Sequence, residues 1–513
     1  MATIKRESYE WALIHLIKFY DSDFYPTLFE FKAIKHDWDN ILPFLLGLDI
    51  NTYAPKTPFI SAAPKPNGSY RVVHQLDPLD SLIFTALAYE NASKIENVRI
   101  PKERFIACSY RLNPDTDGSF FDADNKGFEH FLSKAEELAA KFPDGYVLMT
   151  DLVDFYNQIY LHRVSNILEE AGSTNNGDFE KFLLGLNNNV SKGIPVGPVP
   201  SIVVSEAILS DIDNKIVRHT DNYTRYVDDI NIFFPNKAEA QRLLHDLTIY
   251  LHSNHRLVLS SDKTRIIPTG EFLSDYLKNE ERVEKQKLHS KINEIEIGEY
   301  QLPEKQPEFD ELKGEEKFRL RAEAYVELFM QSVSFDKVDL GLMRHILRQA
   351  GRYKVRSIIP LIFEHFDNLL PVIREIVIYF SRVLNDKTAK RYEAEFSSLL
   401  DKPYLNDTFI NIWIFTLFQD LSFNKTDIKI DYSKIHRIRE KALIARRSND
   451  RTWVKEIKDN IDALGPWDKR AVIHSAIVLS RDECSHWLGL IASKGEVLEK
   501  AVCSKTINDK KGE

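Results

Sequence analysis

Tyr226-Val227-Asp228-Asp229, inside the apolar run 224–234, is the stretch on which the reading of this chain turns. The run predicts two short strands folded back about the acidic pair. Two carboxylates at the tip of such a hairpin can hold a cation. Taken alone the tetrapeptide is weak, because short aromatic-x-Asp-Asp strings arise by chance. Its surroundings decide.

A third carboxylate stands upstream, where Tyr146-Val147-Leu148-Met149-Thr150 predicts a buried strand that delivers Asp151 at its end. An Asp that merely caps the next helix is the plain alternative for that residue alone. The order of the downstream segments favours the strand-end reading. A loop, Lys192-Gly193-Ile194-Pro195-Val196-Gly197-Pro198, precedes a helix with Val204, Ala207, Ile208, Ile212 and Ile216 at helical spacing. After the acidic hairpin, Asn236 and Glu239 form a capping-box pattern ahead of Leu243, Leu244, Leu247 and Leu251, and Leu257-Val258-Leu259 predicts a last strand. Strand, helix, hairpin, helix and strand make a split βαβ arrangement, which brings Asp151 and Asp228 to adjacent strand ends. Hard cations take oxygen ligands, and nucleotidyl transfer uses two Mg²⁺ ions about 3.5 to 4 Å apart to activate a 3′-hydroxyl and neutralise the departing pyrophosphate.

In this order the motifs resemble the palm of reverse transcriptases, over roughly residues 55–280. Asp151-x-x-Asp154-Phe155-Tyr156 looks like the first catalytic motif of that family, Gly193-x-Pro195-x-Gly197-Pro198-x-x-Ser201 the second, Tyr226-Val227-Asp228-Asp229 the third, and Leu257-x-Leu259-x-x-x-Lys263-Thr264 the fourth. The resemblance implies that Asp151 and Asp228 are the principal metal ligands, with Asp229 completing the triad and Leu152 adding to the metal set. It implies an aromatic steric gate at Tyr156, hence deoxynucleotide substrates. Phe155, Gly193 and Tyr226 would stand beside the substrate, and Lys263 would donate a proton to pyrophosphate. An exposed lysine on a turn is the open alternative for Lys263. Lys192 stands where the second motif usually opens with Gln.

A fingers element is legible in Ala63-Pro64-Lys65-Pro66-Asn67-Gly68-Ser69-Tyr70-Arg71-Val72-Val73, since Asn-Gly between two strand-like runs is a strong hairpin signal. In the family the corresponding hairpin closes over the triphosphate. A guanidinium fork suits phosphate oxygens, so Arg71 is the first candidate and Lys65 the second. A solvated hairpin is the alternative.

With 513 residues and 43% hydrophobic content the chain can bury large cores and should hold two or more domains. Met1 to Tyr20 mixes Lys5, Arg6, Glu7, Glu10 and Lys18 among apolar residues, which excludes a signal-peptide core, and no apolar run reaches membrane-span length. Cys108, Cys484 and Cys503 are too scattered for a disulfide framework or zinc site, so a cytoplasmic home is expected. The net charge of −9 contrasts with the basic surface usual for gripping a long duplex. Part of that acidity lies in 280–316, a charged, Pro-containing stretch that looks like a connector.

Beyond it the sequence predicts helices in succession, 357–366, 371–384, 389–400 and 407–421, whose spacing suggests an α-solenoid of the HEAT type. The expected fold class is α+β: fingers and palm over 1–280, a connector over 281–317, and an all-α helical repeat domain over 318–513. That segment is too long for an ordinary thumb. The whole resembles the abortive-infection group of bacterial reverse transcriptases, with Ser109-Tyr110-Arg111-Leu112 and Gly465-Pro466-Trp467-Asp468-Lys469-Arg470 as further marks of likeness. The resemblance implies antiphage defence by untemplated DNA synthesis in a homo-oligomer, using Mg²⁺, with Mn²⁺ as a substitute, and deoxynucleoside triphosphates. The single-stranded DNA product would be primed on a tyrosine of the protein and stay covalently attached. Primer mobility favours a loop, and Tyr20 and Tyr25, in the polar stretch Phe19-Tyr20-Asp21-Ser22-Asp23-Phe24-Tyr25-Pro26, are the N-terminal candidates.

Two basic clusters, Arg344, Arg348 and Arg352 with Lys354 and Arg356, and Lys434, Arg437, Arg439, Lys441, Arg446, Arg447 and Arg451, read either as a guide for single-stranded product or as solvated helix faces or intersubunit salt bridges. Asp122-Ala123-Asp124-Asn125-Lys126-Gly127 is rejected as a calcium loop, because Lys126 replaces an oxygen ligand and Ser133 stands where a bidentate Glu is required. The alternatives to the polymerase reading are a templated retron-like or intron-like reverse transcriptase, and a non-catalytic palm serving as scaffold beside a partner-binding solenoid.

Overall fold

Six strands occur among the described residues: β1 (Phe59–Pro64), β2 (Tyr70–Gln75), β3 (Tyr146–Thr150), β4 (Tyr223–Tyr226), β5 (Asp229–Phe234) and β6 (Arg265–Pro268). β1 and β2 pair as a hairpin, and the other four form an antiparallel sheet in the order β4-β5-β3-β6. The central place of β3 explains its nearly continuous apolar sequence, since Val147 and Leu148 are buried completely. The strand order is that of a split βαβ unit. The computed structural model describes residues 4–19, 21–66, 68–277, 322–334 and 338–512.

The chain divides into two compact units. The first comprises Met1–Asp23, Leu42–Phe59 and His74–Glu284; the second comprises Phe24–Ile41, Ile60–Val73 and Lys285–Glu513. In the first, the Gly127–Lys141 helix lays Ala135, Leu138 and Ala139 on Val147 of β3, Phe233 of β5 and Ile267 of β6. The Val199–Val217 helix begins on Pro198-Val199-Pro200, where a missing N–H does no harm. It buries Val204, Ala207, Ile208, Ile212 and Ile216 as the spacing required, and it buries Glu206 and Asp213 beside them. Asn236 caps the Lys237–Tyr250 helix by accepting from the Glu239 N–H at 3.0 Å while its amide donates to the Glu239 carboxylate at 2.7 Å.

The last palm strand differs from expectation. Leu257 is buried, but Val258 is 59% exposed and Leu259 makes only an isolated bridge to Leu152. The edge strand is β6, where Ile266 and Ile267 pair with Leu148 and Val147. Three apolar residues are too short a run to separate a strand from a connecting segment by periodicity.

In the second unit every described element after residue 321 is helical. The expected 357–366, 371–384 and 407–421 helices appear as Ile359–Glu364, Ile373–Val383 and Thr408–Leu417, whereas 389–400 is broken at Tyr392 into Asp386–Arg391 and Glu393–Leu399. Asn385 and Asp407 cap two of these through their side chains. The 281–317 connector lies outside the described residues. Glu30 is the unit's charged centre: Arg439 meets it with two bonds of 2.6 and 2.7 Å, and Arg470 adds a third of 3.2 Å. Trp467 has the Arg439 and Arg470 guanidinium groups about its ring at 5.2 and 5.1 Å. The Gly465–Arg470 segment is therefore a structural hub. No helix among the described residues is long and apolar enough to cross a membrane, and all three cysteines are free and buried.

Candidate active site

β3 ends where the sequence required. Thr150 pairs with Ile230 across β3 and β5, so the next residue, Asp151, falls opposite Asp229. β4 and β5 turn through Val227 and Asp228. After Asp151 the chain is bound to the fourth motif, the Ser260 N–H donating to the Asp151 carbonyl at 2.8 Å and the Val153 N–H to the Val258 carbonyl at 2.9 Å. That tether carries Lys263 to the Asp151 carboxylate, where its ammonium makes an ion pair with Oδ2. Thr150 and Thr264 join hydroxyls at 2.8 Å below it.

The electrostatics are those of crowded carboxylates. Burial, and then the neighbouring charge of Asp151, push the Asp228 carboxyl up to about 7. Burial and Asp151 raise Asp229 as well, although Lys263 opposes them. Burial disfavours the Lys263 charge, but the Asp151 carboxylate outweighs it and holds the ammonium above the usual lysine value. Among the described residues no three His, Cys, Asp or Glu side chains form a ready-made metal cluster. The fit is to Mg²⁺, which is normally held by one or two carboxylates with the remaining places left to water and substrate phosphates. The donors here are all oxygens, and their mutual repulsion is what a cation would relieve.

The first and second motifs pack as one piece. The Gly193 N–H donates to the Ile159 carbonyl at 2.8 Å and the Ile194 N–H to that of Tyr156 at 2.9 Å. Gly193 has φ +94°, a conformation that favours glycine, and a Cβ there would lie a tight 3.3 Å from the Asn157 carbonyl. Phe155 is buried and packs edge-on against Tyr156, which makes it a support for that ring. Tyr156 is half-buried, its hydroxyl 3.5 Å from the Ser205 hydroxyl. Burial raises its phenol, with Glu206 and Asp228 adding to the effect. Tyr226 lies among Tyr110, Phe128 and Phe131. Leu152 is buried against Leu259.

Arg71 and Lys65 lie within Ile60–Val73, the part of the β1–β2 hairpin that belongs to the second unit. The hairpin itself is as expected: the Lys65 N–H donates to the Ser69 carbonyl at 2.8 Å and Gly68 takes φ +76°. Tyr25 is a correction. It is buried, its hydroxyl 2.7 Å from that of Ser61 and donating to the Val73 carbonyl at 3.2 Å, with its ring on Phe409. A side chain so held lacks the mobility a primer needs. Tyr20 lies outside the described residues.

Sequence reasoning missed the charges beneath the acidic turn. Arg225, fully buried, meets Asp213 through Nε at 3.0 Å and Nη2 at 2.8 Å, and Glu206 at 3.0 Å. Arg99 reaches the same Glu206 oxygen at 2.9 Å and Glu96 at 3.0 Å; Arg111 closes on Glu96. Burial would raise Glu206, but Arg225 and Arg99 together hold it below the usual carboxylate range. The signal was available: an arginine in an apolar strand, and two acids on the apolar face of a helix, require partners.

Residues 63–277 match the family model of reverse transcriptase (RNA-dependent DNA polymerase). No curated protein sequence matches the chain. Among solved structures, that of telomerase from Candida albicans in complex with a TWJ fragment of telomeric RNA shares 12% identity, with 68% of each chain covered and a TM-score of 0.32, a likeness that by itself argues nothing. The family match supports a reverse-transcriptase-type polymerase domain, a nucleotidyltransferase class that normally uses divalent metal ions.

Proposed function

We propose that this domain is a catalytically competent DNA polymerase of the abortive-infection kind, adding deoxynucleotides without a template onto a tyrosine of the protein. One observation carries the catalytic part: β3 delivers Asp151 opposite the β4–β5 turn that bears Asp228 and Asp229. Bound there, two Mg²⁺ ions would activate the attacking hydroxyl and neutralise the leaving pyrophosphate. Asp151 and Asp228 would hold them, with Asp229 and the main chain at Leu152 in support. Tyr156 presents its ring where a ribose 2′-hydroxyl would need room, while Phe155, Gly193 and Tyr226 keep the motif loops in register around it. Lys263, kept charged by Asp151, holds a proton for pyrophosphate. Arg71 and Lys65 serve the triphosphate as its cationic partners.

Untemplated synthesis is supported by the net charge of −9 and by Lys192 in place of the usual Gln. An attached primer hydroxyl acts at high effective concentration, which offsets weak grip on free nucleic acid. Antiphage action, a homo-oligomeric state, a cytoplasmic setting and HEAT-like stacking of the helical half complete the reading, and rest on the resemblance. Purified protein incubated with labelled deoxynucleotides and Mg²⁺, with and without template and primer, tests it. Incorporation without either supports it. Incorporation only with a template would transfer the assignment to a retron-like or intron-like enzyme, and none at all would leave the scaffold.

A further inference from the structure

The turn carrying Asp228 and Asp229 is built on a residue unsuited to it. Val227 is β-branched yet has φ +54°, a left-handed conformation that tight turns normally assign to Gly, Asn or Asp. Such a backbone persists only where its surroundings over-determine it. Here they do so by two bonds: the Val227 N–H donates to the Ser109 hydroxyl at 2.9 Å, and Arg225 Nη1 donates to the Val227 carbonyl at 2.9 Å.

Both holders converge on one carboxylate. The Ser109 hydroxyl, accepting from Val227, donates its own proton to Glu206 Oε1 at 3.0 Å. Arg225 Nη2 donates to Glu206 Oε2 at 3.0 Å, while its Nε and Nη2 are occupied by Asp213. Arg99 completes the shell around Glu206. The backbone adds a further tie, since the Arg225 N–H donates to the Ile106 carbonyl at 2.7 Å and the Cys108 N–H to the Arg225 carbonyl at 3.0 Å, which brings Ser109 alongside the turn. A buried ion network is weak evidence for stability, because desolvation offsets the Coulomb gain. Its fixed orientation is what distinguishes it from an apolar core.

We propose that Ser109 and Arg225, anchored on Glu206, are positioning residues that lock the Val227 main chain in its left-handed form and so aim the Asp228 and Asp229 carboxylates at Asp151. The inference rests on the polymerase reading of this site and deepens it. It also gives the Ser109-Tyr110-Arg111-Leu112 segment a role: one hydroxyl of it sets the register of the metal-binding turn. Each acts through the Val227 peptide groups.

Ser109→Ala is the decisive variant, because it removes the acceptor for Val227 but leaves Glu206 between Arg99 and Arg225. Mn²⁺ is the probe, titrated into purified protein and followed by electron paramagnetic resonance. Loss of an outer partner of a metal site typically weakens the metal by about tenfold or more, so the half-saturating Mn²⁺ concentration should rise by about that factor. The kcat for incorporation should fall in parallel while the KM for deoxynucleotide stays within about twofold. Arg225→Lys, which keeps the charge but lacks the fork, should follow it. Ser210→Ala, on the helix that carries Glu206, removes a comparable buried bond, from the Ser210 hydroxyl to the Ala207 carbonyl at 2.7 Å, and should leave Mn²⁺ binding unchanged. Wild-type Mn²⁺ affinity in Ser109→Ala, or an equal loss in Ser210→Ala, overturns the proposal. Wild-type protein that binds Mn²⁺ and incorporates nothing overturns the polymerase reading instead, and the binding comparison still decides the role of Ser109.

Discussion

The Lys263 ammonium is paired with Oδ2 of Asp151, which joins the proposed proton donor to a proposed metal ligand. The pair places two opposite demands on one residue. Lys263 must stay charged to give up a proton, yet its charge competes with a cation for Asp151. Lys263→Gln separates them: kcat should fall about a hundredfold, as for loss of a general acid, while the half-saturating Mg²⁺ concentration falls or stays level. Measured kcat at saturating Mg²⁺ equal to wild type would return Lys263 to an exposed lysine on a turn.

Asp151→Asn and Asp228→Asn should each abolish incorporation without unfolding the domain. The change in volume is negligible, but the charge of a proposed metal ligand is gone. In metal-free protein Asp228→Asn should melt no lower than wild type, because a half-buried carboxyl crowded by Asp151 and Asp229 is relieved. Single-turnover incorporation and a thermal melt check both halves.

Tyr156→Ala should admit ribonucleotides. The ring packs edge-on against Phe155 and its hydroxyl is 3.5 Å from that of Ser205; as the proposed gate, its removal should open the space a 2′-hydroxyl would use. The ratio of kcat/KM for dATP to that for ATP should fall by at least about tenfold, or about 1.4 kcal/mol of discrimination. An unchanged ratio would place the gate elsewhere.

Product boiled in SDS should migrate with the protein and be released by protease. Tyr25→Phe should retain that label and instead lower stability by about 1 to 2 kcal/mol, since it deletes the buried bonds to Ser61 and Val73. Tyr20→Phe is the variant expected to lose label. Radiolabel running free of protein in the wild type would end the self-priming proposal.

Acid should unfold the second unit through Glu30. Burial alone would raise this carboxyl, but Arg439, with Arg470, overcomes it and holds it at about 2. A folded value below the unfolded one contributes stability that is complete above about pH 4.5 and is lost as pH falls towards 2, to a limit of about 3 kcal/mol. Glu30→Gln leaves two buried guanidinium groups without their anion and should destabilise by about 3 to 5 kcal/mol at pH 7. Denaturant melts at pH 7, 4 and 3 should show the wild type approaching the variant as acid is added.

What the sequence determined by itself is what short-range pattern controls. The apolar strand ending in Asp151, the hairpin about Asp228, the Asn236 cap and the stripe from Val204 to Ile216 each depend on residues a few positions apart, where periodicity and capping chemistry act directly. Only the tertiary structure decided which charges are buried and against what. Arg439 looked like one of a solvated basic run, but its partner is Glu30, 409 positions away. Tyr25 sits in a polar stretch and is nonetheless held by Ser61 and Val73 in a core. Arg225, Glu206 and Asp213 stand in the sequence as charges on apolar faces that need partners, but only the fold pairs them with one another and brings Ser109 to them under Val227. The physical reason is one of scale: local pattern selects the elements, whereas desolvating a charge is decided by every group packed around it, wherever in the chain that group lies.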